Sequence, residues 1–229
     1  MFGKVAYVCL HSFLPDLIDA DSIVVDLGAN DGDFAHAMIE RFHCRVIAAE
    51  PVRELLDRIQ PHPLLQVLPV AVGGKNQQVS VNVFSSRCAS VLGPMSPEES
   101  SATQLVEMIT LTEFLRRAHV ERIDLLKVDI EGAEIDMFAS CSDEELQSAR
   151  QVTVEFHDFI YPEQLPAIQR ICERMRDIGF VVLPFTFRNA ADVLFVSRET
   201  GIGRAEIAYL RSFARYGKGL SRVIRRTVG

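Results

Sequence analysis

The chain has no C-x-x-C pair, no apolar run of membrane-spanning length, no internal repeat and, over most of its length, no excess of positive charge. Each absence removes a class of protein. The five cysteines (Cys9, Cys44, Cys88, Cys141, Cys172) are dispersed and odd in number, which argues for reduced thiols and against a disulfide framework or a thiolate metal site. The opening MFGKVAYVCLHSFLPDLIDAD has a short apolar patch broken by His11 and Asp16. It is a poor signal peptide and too short to cross a bilayer, so a cytoplasmic location is the expectation. Missing repeats exclude solenoids and propellers.

Charge is uneven. From Arg204 onward seven basic residues stand against Glu206 alone, a balance of +6, which leaves −13 for residues 1–203 within the net −7. An acidic body lacks the cations that nucleic-acid phosphates require, so no nucleic-acid partner is expected. With 229 residues, 48% of them hydrophobic, the chain suits one domain over residues 1–198 and a basic, helix-prone tail over 199–229. In the tail, Ile207, Leu210, Phe213 and Ala214 fall at helical spacing. Such a helix either docks on the acidic body or lies on an anionic membrane or glycolipid surface; oligomeric state is not legible.

What is present is an alternation of β-branched runs and amphipathic segments. Strands are expected at 22–28, 44–50, 64–72, 123–130, 151–156, 180–184 and 192–197, and helices at 33–42, 52–60, 110–118 and 165–179. Thr110 with Glu113 has the spacing of a capping box. An extra antiparallel strand is expected at 78–84, after strand three, and a Ser/Pro/Glu-rich loop at 93–103. Strands separated by helices imply a doubly wound, mostly parallel α/β sheet of seven strands. PFTFRNAA is too short for a helical crossover between the last two strands, so the final strand is expected to be antiparallel.

VVDLGANDGDFA places a glycine-rich turn after strand one, where open α/β sheets bind ligands. A dinucleotide fingerprint needs glycines at 28, 30 and 33; here Gly28 is followed by Asn30, Gly32 and Asp33. Asp26, Asp31 and Asp33 crowd the following helix N-terminus and discourage a pyrophosphate. The loop suits a ligand of positive character, such as S-adenosylmethionine. Glu50 closes strand two, where an acid can accept both ribose hydroxyls.

DLGANDG, AAEP (48–51) and LLKVDIEGAE (125–134) together resemble the FkbM family of S-adenosylmethionine-dependent methyltransferases, from about residue 23 to 197. KVDIEGAE is the most specific part, with TVEFH (153–157) and ITLTEFL (109–115) as further matches. The resemblance implies the Rossmann-like class I methyltransferase sheet and O-methylation, often of a sugar or polyketide hydroxyl. It implies that Asp26, Gly28, Asn30 and Gly32 hold the methionine and ribose portions of the cofactor. Glu50, with Pro51 beside it, would hold the ribose, and the residues around Ala71 would border the adenine.

LLKVDIEGAE sets Lys127 and Asp129 on one side of a strand, with Glu131 joining them if the strand runs that far. Lys127 on an interior strand needs a partner, and Asp129 or Glu134 could supply it; the alternative is a catalytic role. Transfer to an alcohol requires loss of a proton and in-line alignment. His157 or Asp129 is the candidate base, with Glu131 orienting the substrate. His11, His43 and His119 read as surface or helix-end histidines. Asp129, Glu155 and His157 could instead hold Mg²⁺ or a similar ion, and the spacing does not decide it.

The sequence therefore points to a methyltransferase acting on a hydroxyl of a carbohydrate, glycolipid or related polar metabolite. An NAD-dependent oxidoreductase on a similar fold and a non-catalytic cofactor-binding scaffold remain as alternatives, the first disfavoured by the missing glycine at position 30.

Overall fold

The computed structural model describes residues 5–84, 88–90, 102–186 and 189–214. In chain order its main elements are β1 (Ala6–Val8), β2 (His11–Phe13), β3 (Ile23–Leu27), α1 (Asp33–Phe42), β4 (Arg45–Ala49), α2 (Arg53–Leu56), β5 (Leu65–Leu68), β6 (Ala71–Val72), β7 (Gln77–Phe84), β8 (Cys88–Ser90) and β9 (Ala102–Ile109). They continue as α3 (Leu111–Ala118), β10 (Leu125–Val128), α4 (Glu134–Ser140), α5 (Asp143–Gln147), β11 (Gln151–Val154), α6 (Leu165–Asp177), β12 (Phe180–Pro184), β13 (Val193–Ser197) and α7 (Arg204–Tyr209).

The central sheet has seven strands in the order β12-β13-β11-β10-β3-β4-β5. Only β13 runs against its neighbours β11 and β12, as the short PFTFRNAA connection required. One face is a continuous apolar layer. Val25, Leu27, Leu126, Val128, Val152 and Val154 from the strands meet Phe114 of α3, Phe138 of α4 and Ile171 and Met175 of α6. The other face is covered by α1 and by the N-terminal hairpin of β1 and β2, which are antiparallel. Side chains of the sheet hold that hairpin. Ser12 donates from N and Oγ to Asp192, Leu14 N donates to Gln151 Oε1, and Gln151 Nε2 returns a bond to Leu14 O.

Several elements differ from expectation. The 64–72 strand divides, because Pro69 offers no N–H to a continuing ladder; β5 stays in the main sheet and β6 starts a second one. That four-stranded sheet, ordered β6-β9-β7-β8, absorbs the expected extra strand and includes β9, which sequence reading gave partly to the Ser/Pro/Glu-rich loop. Most of that loop lies outside the described residues. The helix expected at 52–60 is only α2; i→i+3 bonds tighten the chain at Arg58 and Ile59 before Pro61. The capping box at Thr110 is half-formed: its side chain accepts from Glu113 N, while the Glu113 carboxylate binds Arg116 and Arg117 instead.

Among the described residues no helix is long and apolar enough to cross a membrane. The start of the tail forms α7. Leu210 beyond it is buried with Leu14, Val181, Leu183 and Phe185, and Ile207 packs against the same cluster. Residues 215–229 of the expected basic, helix-prone tail over 199–229 lie outside the described residues.

Candidate active site

The parallel strands deliver charged side chains in one row. Asp26 and Lys127 are register partners on β3 and β10, and Thr153 is the partner of Lys127 on β11. All three are buried on the face that looks toward α1 and the hairpin. Lys127 Nζ lies 2.9 Å from Asp26 Oδ1 and donates to Gly28 O at 2.6 Å, with Asp129 Oδ2 farther off at 3.8 Å. The nearest partner of Lys127 is therefore Asp26, with the expected Asp129 a second, more distant one, while Glu134 turns to the backbone of its own loop. Strand register explains it: the nearest carboxylate is sideways across the sheet, not along the chain. Burial opposes charge on Lys127, but Asp26 and Asp129 override it and raise its pKa. Burial likewise pushes the Asp26 carboxyl up, with Lys127 pulling the other way.

One step further along each strand the ladder ends and the site begins. Gly28 has φ +81, and a Cβ there would run into the Asp129 carbonyl oxygen, so only glycine permits this crossing of two strand ends. Asn30 also takes a positive φ of 54. Its N–H donates to Glu50 Oε2 at 2.9 Å, while Glu50 Oε1 accepts from Val52 N at 2.9 Å. Burial pushes the Glu50 carboxyl up to about 7, against those two bonds.

β10 stops at Val128. Glu131 does not continue the strand; it sits in the left-handed region at φ 51, followed by Gly132 at φ 104. Glu134 folds back beneath this turn and accepts from Ile130 N and Gly132 N at 3.1 Å each. It is also 3.1 Å from His157 Nδ1, while His157 Nε2 is 3.2 Å from Glu131 Oε2 and 3.9 Å from Asp129 Oδ1. Burial disfavours a charged imidazole, but Glu131 and Glu134 outweigh it and push His157 up to about 11. Burial also works against charge on Asp129, yet Lys127, His11 and His157 hold its carboxyl well below the usual range. On Glu155 burial and the Asp129 charge outweigh the pull of His157 and Lys127 and push it up to about 7.

A cavity of about 320 Å³ opens onto these groups, a volume typical of small-molecule sites. Gly28, Asn30, Glu50, Pro51, Ala71, Lys127, Asp129 and Glu131 line it, eight of the residues singled out in the sequence. Asp26 and Gly32 do not; the first is sealed beneath Gly28, and the second is the N-cap of α1. His157 stands behind Glu131. The apolar part of the wall comes from Leu55, Val70, Ala71, Val72 and Val81. Among the titratable groups of the lining, five carboxylates (Asp31, Asp33, Glu50, Asp129, Glu131) face one cation, Lys127.

Sequence reasoning missed one member. His11, read as a surface histidine, is fully buried and stands over the strand ends, 3.5 Å from Asp129 Oδ2. Its Nδ1 faces Thr153 Oγ1 at 3.4 Å. No local pattern marks it, because its partners come from β11 and the end of β10. The trio expected for a metal is also divided differently: His11, Asp129 and Glu155 form one potential ligand group, and Asp129, Glu131 and His157 another.

Comparison with known proteins places the chain among methyltransferases of one family. The model for the methyltransferase FkbM domain matches residues 26–182. A hexuronic acid methyltransferase, AglP, from Haloferax volcanii is 25% identical over 174 residues, 72% of this chain and 71% of that protein. The AMB antimetabolite synthetase AmbE of Pseudomonas aeruginosa is 26% identical over 183 residues, 62% of this chain but 9% of the relative, so the chain spans under a tenth of that much longer protein. The crystal structure of an FkbM methyltransferase from Methylobacillus flagellatus superposes with a TM-score of 0.53 at 14% identity, covering 78% of this chain and 44% of that one.

Proposed function

The chain belongs to the FkbM methyltransferase family, and from that premise we propose that it transfers a methyl group from S-adenosylmethionine to a hydroxyl of a carbohydrate or related polar metabolite. The observation that carries this reading is the polarity of the cavity. Its lining combines five carboxylates and one lysine with the apolar Leu55, Val70, Ala71, Val72 and Val81, which suits a cofactor with a sulfonium, a ribose diol and an adenine and is hostile to a pyrophosphate. Gly28 and Asn30 would hold the methionine portion, and Glu50 the ribose, exchanging a bond to Asn30 N for hydroxyl donors. Val70, Ala71 and Val72 would face the adenine, which finds no polar side chain there. The bound cofactor supplies an activated methyl group on a positively charged sulfur.

The chain's own residues supply the rest. Asp129 and Glu131 project into the cavity beyond the strand end, where an acceptor hydroxyl can meet them. Both ring nitrogens of His157 lie near carboxylates, 3.2 Å from Glu131 and 3.1 Å from Glu134, although Nδ1 makes no aligned hydrogen bond; those charges favour the protonated ring, so His157 orients Glu131 and is a poor acceptor of a further proton. Asp129 is the remaining candidate of the two. As the acceptor oxygen bonds to the methyl carbon and the carbon–sulfur bond breaks, the hydroxyl proton passes to Asp129. Lys127 is a positioning residue, joining Asp26 beneath the loop to the Gly28 carbonyl. The hexuronic acid specificity in the name of the Haloferax relative supports a sugar acceptor.

Calorimetry with S-adenosylhomocysteine tests the cofactor assignment: one site per chain is expected, and a folded protein that releases no heat would overturn it. Asp129→Asn should then lower turnover by roughly 10²–10⁴-fold, the usual worth of a proton acceptor, while S-adenosylhomocysteine still binds. A scaffold without chemistry would be indifferent to that change.

A further inference from the structure

β2 brings to the strand ends a side chain that the methyl-transfer scheme leaves unused. His11 lies outside the matched residues 26–182 and is fully buried. Burying an imidazole costs free energy unless both nitrogens find partners. Nδ1 faces Thr153 Oγ1 at 3.4 Å, but the buried Nε2 makes no aligned hydrogen bond. Its nearest neighbour, Asp129 Oδ2, is 3.5 Å away, long for a charge-assisted contact. Glu155 closes the group: one donor atom each from His11, Asp129 and Glu155 lie within 4.8 Å of one another. Three lone-pair donors directed at one point repel each other unless a cation stands between them.

We propose that His11, Asp129 and Glu155 bind a divalent cation of the Mn²⁺-to-Zn²⁺ class. One imidazole and two carboxylates suit a first-row ion better than Ca²⁺, which prefers oxygen alone. Metal–ligand bonds of about 2.0–2.2 Å place ligand atoms roughly 3–4 Å apart, so the three side chains need to close only slightly. Thr153 plays the part of an outer partner. With Oγ1 accepting from Nδ1–H, Nε2 turns its lone pair toward the carboxylates. Lys127 approaches Asp129 Oδ2 only to 3.8 Å, its closer contacts being Asp26 and the Gly28 carbonyl, so an ion at Asp129 competes with its weakest contact. Charge favours the ion as well: Asp26, Asp129, Glu131, Glu134 and Glu155 surround only Lys127 and the doubly engaged His157.

The support under His11 is stiff. The flanking Ser12 and Leu14 are tied to Asp192 and Gln151, which gives a site on a held strand instead of a loose terminus. The other potential group, Asp129 with Glu131 and His157, is poorer because its imidazole already faces two carboxylates. Three protein ligands leave coordination positions open, and Asp129 reaches the cavity. The purpose of the ion rests on the methyl-transfer reading: a bound acceptor hydroxyl is acidified, easing its proton loss to a weakly basic carboxylate.

The test is titration of the metal-stripped full chain with MnCl₂, following free Mn²⁺ by its electron paramagnetic resonance signal. One ion per chain is expected. His11→Gln and Glu155→Gln should each weaken binding by about 10–100-fold, and Glu131→Gln should leave it within about twofold. Absence of Mn²⁺ binding in the wild type overturns the proposal. So does a loss caused by Glu131→Gln or His157→Gln but not by His11→Gln, which would place the ion in the other group. If His11→Gln fails to fold, as far-ultraviolet dichroism would show, Glu155→Gln decides. Calorimetry with S-adenosylhomocysteine on the same samples separates the two readings: binding without Mn²⁺ uptake sinks the ion alone, and Mn²⁺ uptake without binding sinks the cofactor assignment alone.

Discussion

Leu126 and Lys127 are neighbours in β10, and they look to opposite sides of the same sheet. Leu126 enters a layer built wholly from hydrocarbon, with Val128, Val152, Phe138 and Met175 around it. Lys127 enters a layer where Asp26, Thr153, His11 and Gln151 are buried just as deeply. The apolar side is held by area removed from water, is tolerant of direction and has no chemistry to offer. The polar side survives because charge and hydrogen bonds pair most of its groups, as Lys127 with Asp26 and Gln151 with Leu14, so its geometry is narrowly defined. The reactive end of the sheet lies above the second layer, and the first layer supplies the stability that lets the second exist.

That division can be broken at either residue. Lys127→Met should have the largest effect, about 3–5 kcal/mol of stability, because it strands a buried Asp26 carboxylate. Urea unfolding checks it, and adding Asp26→Asn should restore at least half the loss. If the double variant is as unstable as the single one, the ion pair is not what holds the layer. Leu126→Ala, one position away, should cost about 2–4 kcal/mol through the cavity it leaves. Its S-adenosylhomocysteine affinity, read by calorimetry, should stay within about twofold of wild type, whereas Lys127→Met should lower it clearly.

Glu50 sharpens the contrast through pH. Burial holds its folded carboxyl up at about 7, above the usual 4.5, so between those values the folded state holds a proton that the unfolded state has released. This group therefore costs nothing below pH 4.5 and its full penalty above pH 7, with stability falling as pH rises between them. The difference between wild type and Glu50→Gln should shift by roughly 2–3 kcal/mol in favour of the variant from pH 4 to pH 8, measured by unfolding at each pH. The smallest effect belongs to the apolar side's helix end: Thr110→Ala removes the cap of α3 and should cost about 1 kcal/mol, seen as a modest fall in thermal midpoint.

The two layers were also unequally legible. β-branched runs such as SIVVDL and QVTV announce their strands, and the brevity of PFTFRNAA dictates the reversed β13, because both are local properties of the chain. β9 was within reach too: Val106 and Met108 are buried while Leu105 is exposed, a plain period-two alternation hidden by the neighbouring Ser/Pro/Glu-rich stretch. Of the polar layer, the sequence singled out Asp26, Lys127 and Asp129 but neither the buried His11 nor the closest partner of Lys127. Lys127 and Asp26 meet through register across the sheet, and nothing between positions 26 and 127 encodes that register locally. His11 was unreadable for the same reason; a single histidine in an apolar segment carries no sign that residues 129 and 153 will close over it. Glu131 escaped the strand because Gly132 allows the chain to turn, after which Glu134 gathers the freed N–H groups.

The hairpin fastened by Gln151 and Asp192 has a practical consequence for cloning. A gene started at Ser22 would encode a protein with Gln151, Thr153, Lys127 and Asp192 intact but without the covering strand. Gln151, which now exchanges two bonds with Leu14, would face an open trough with no backbone to meet it. Such a trimmed product would be expected in the insoluble fraction, and residues 5–20 belong in any expression plan as a structural part of the fold.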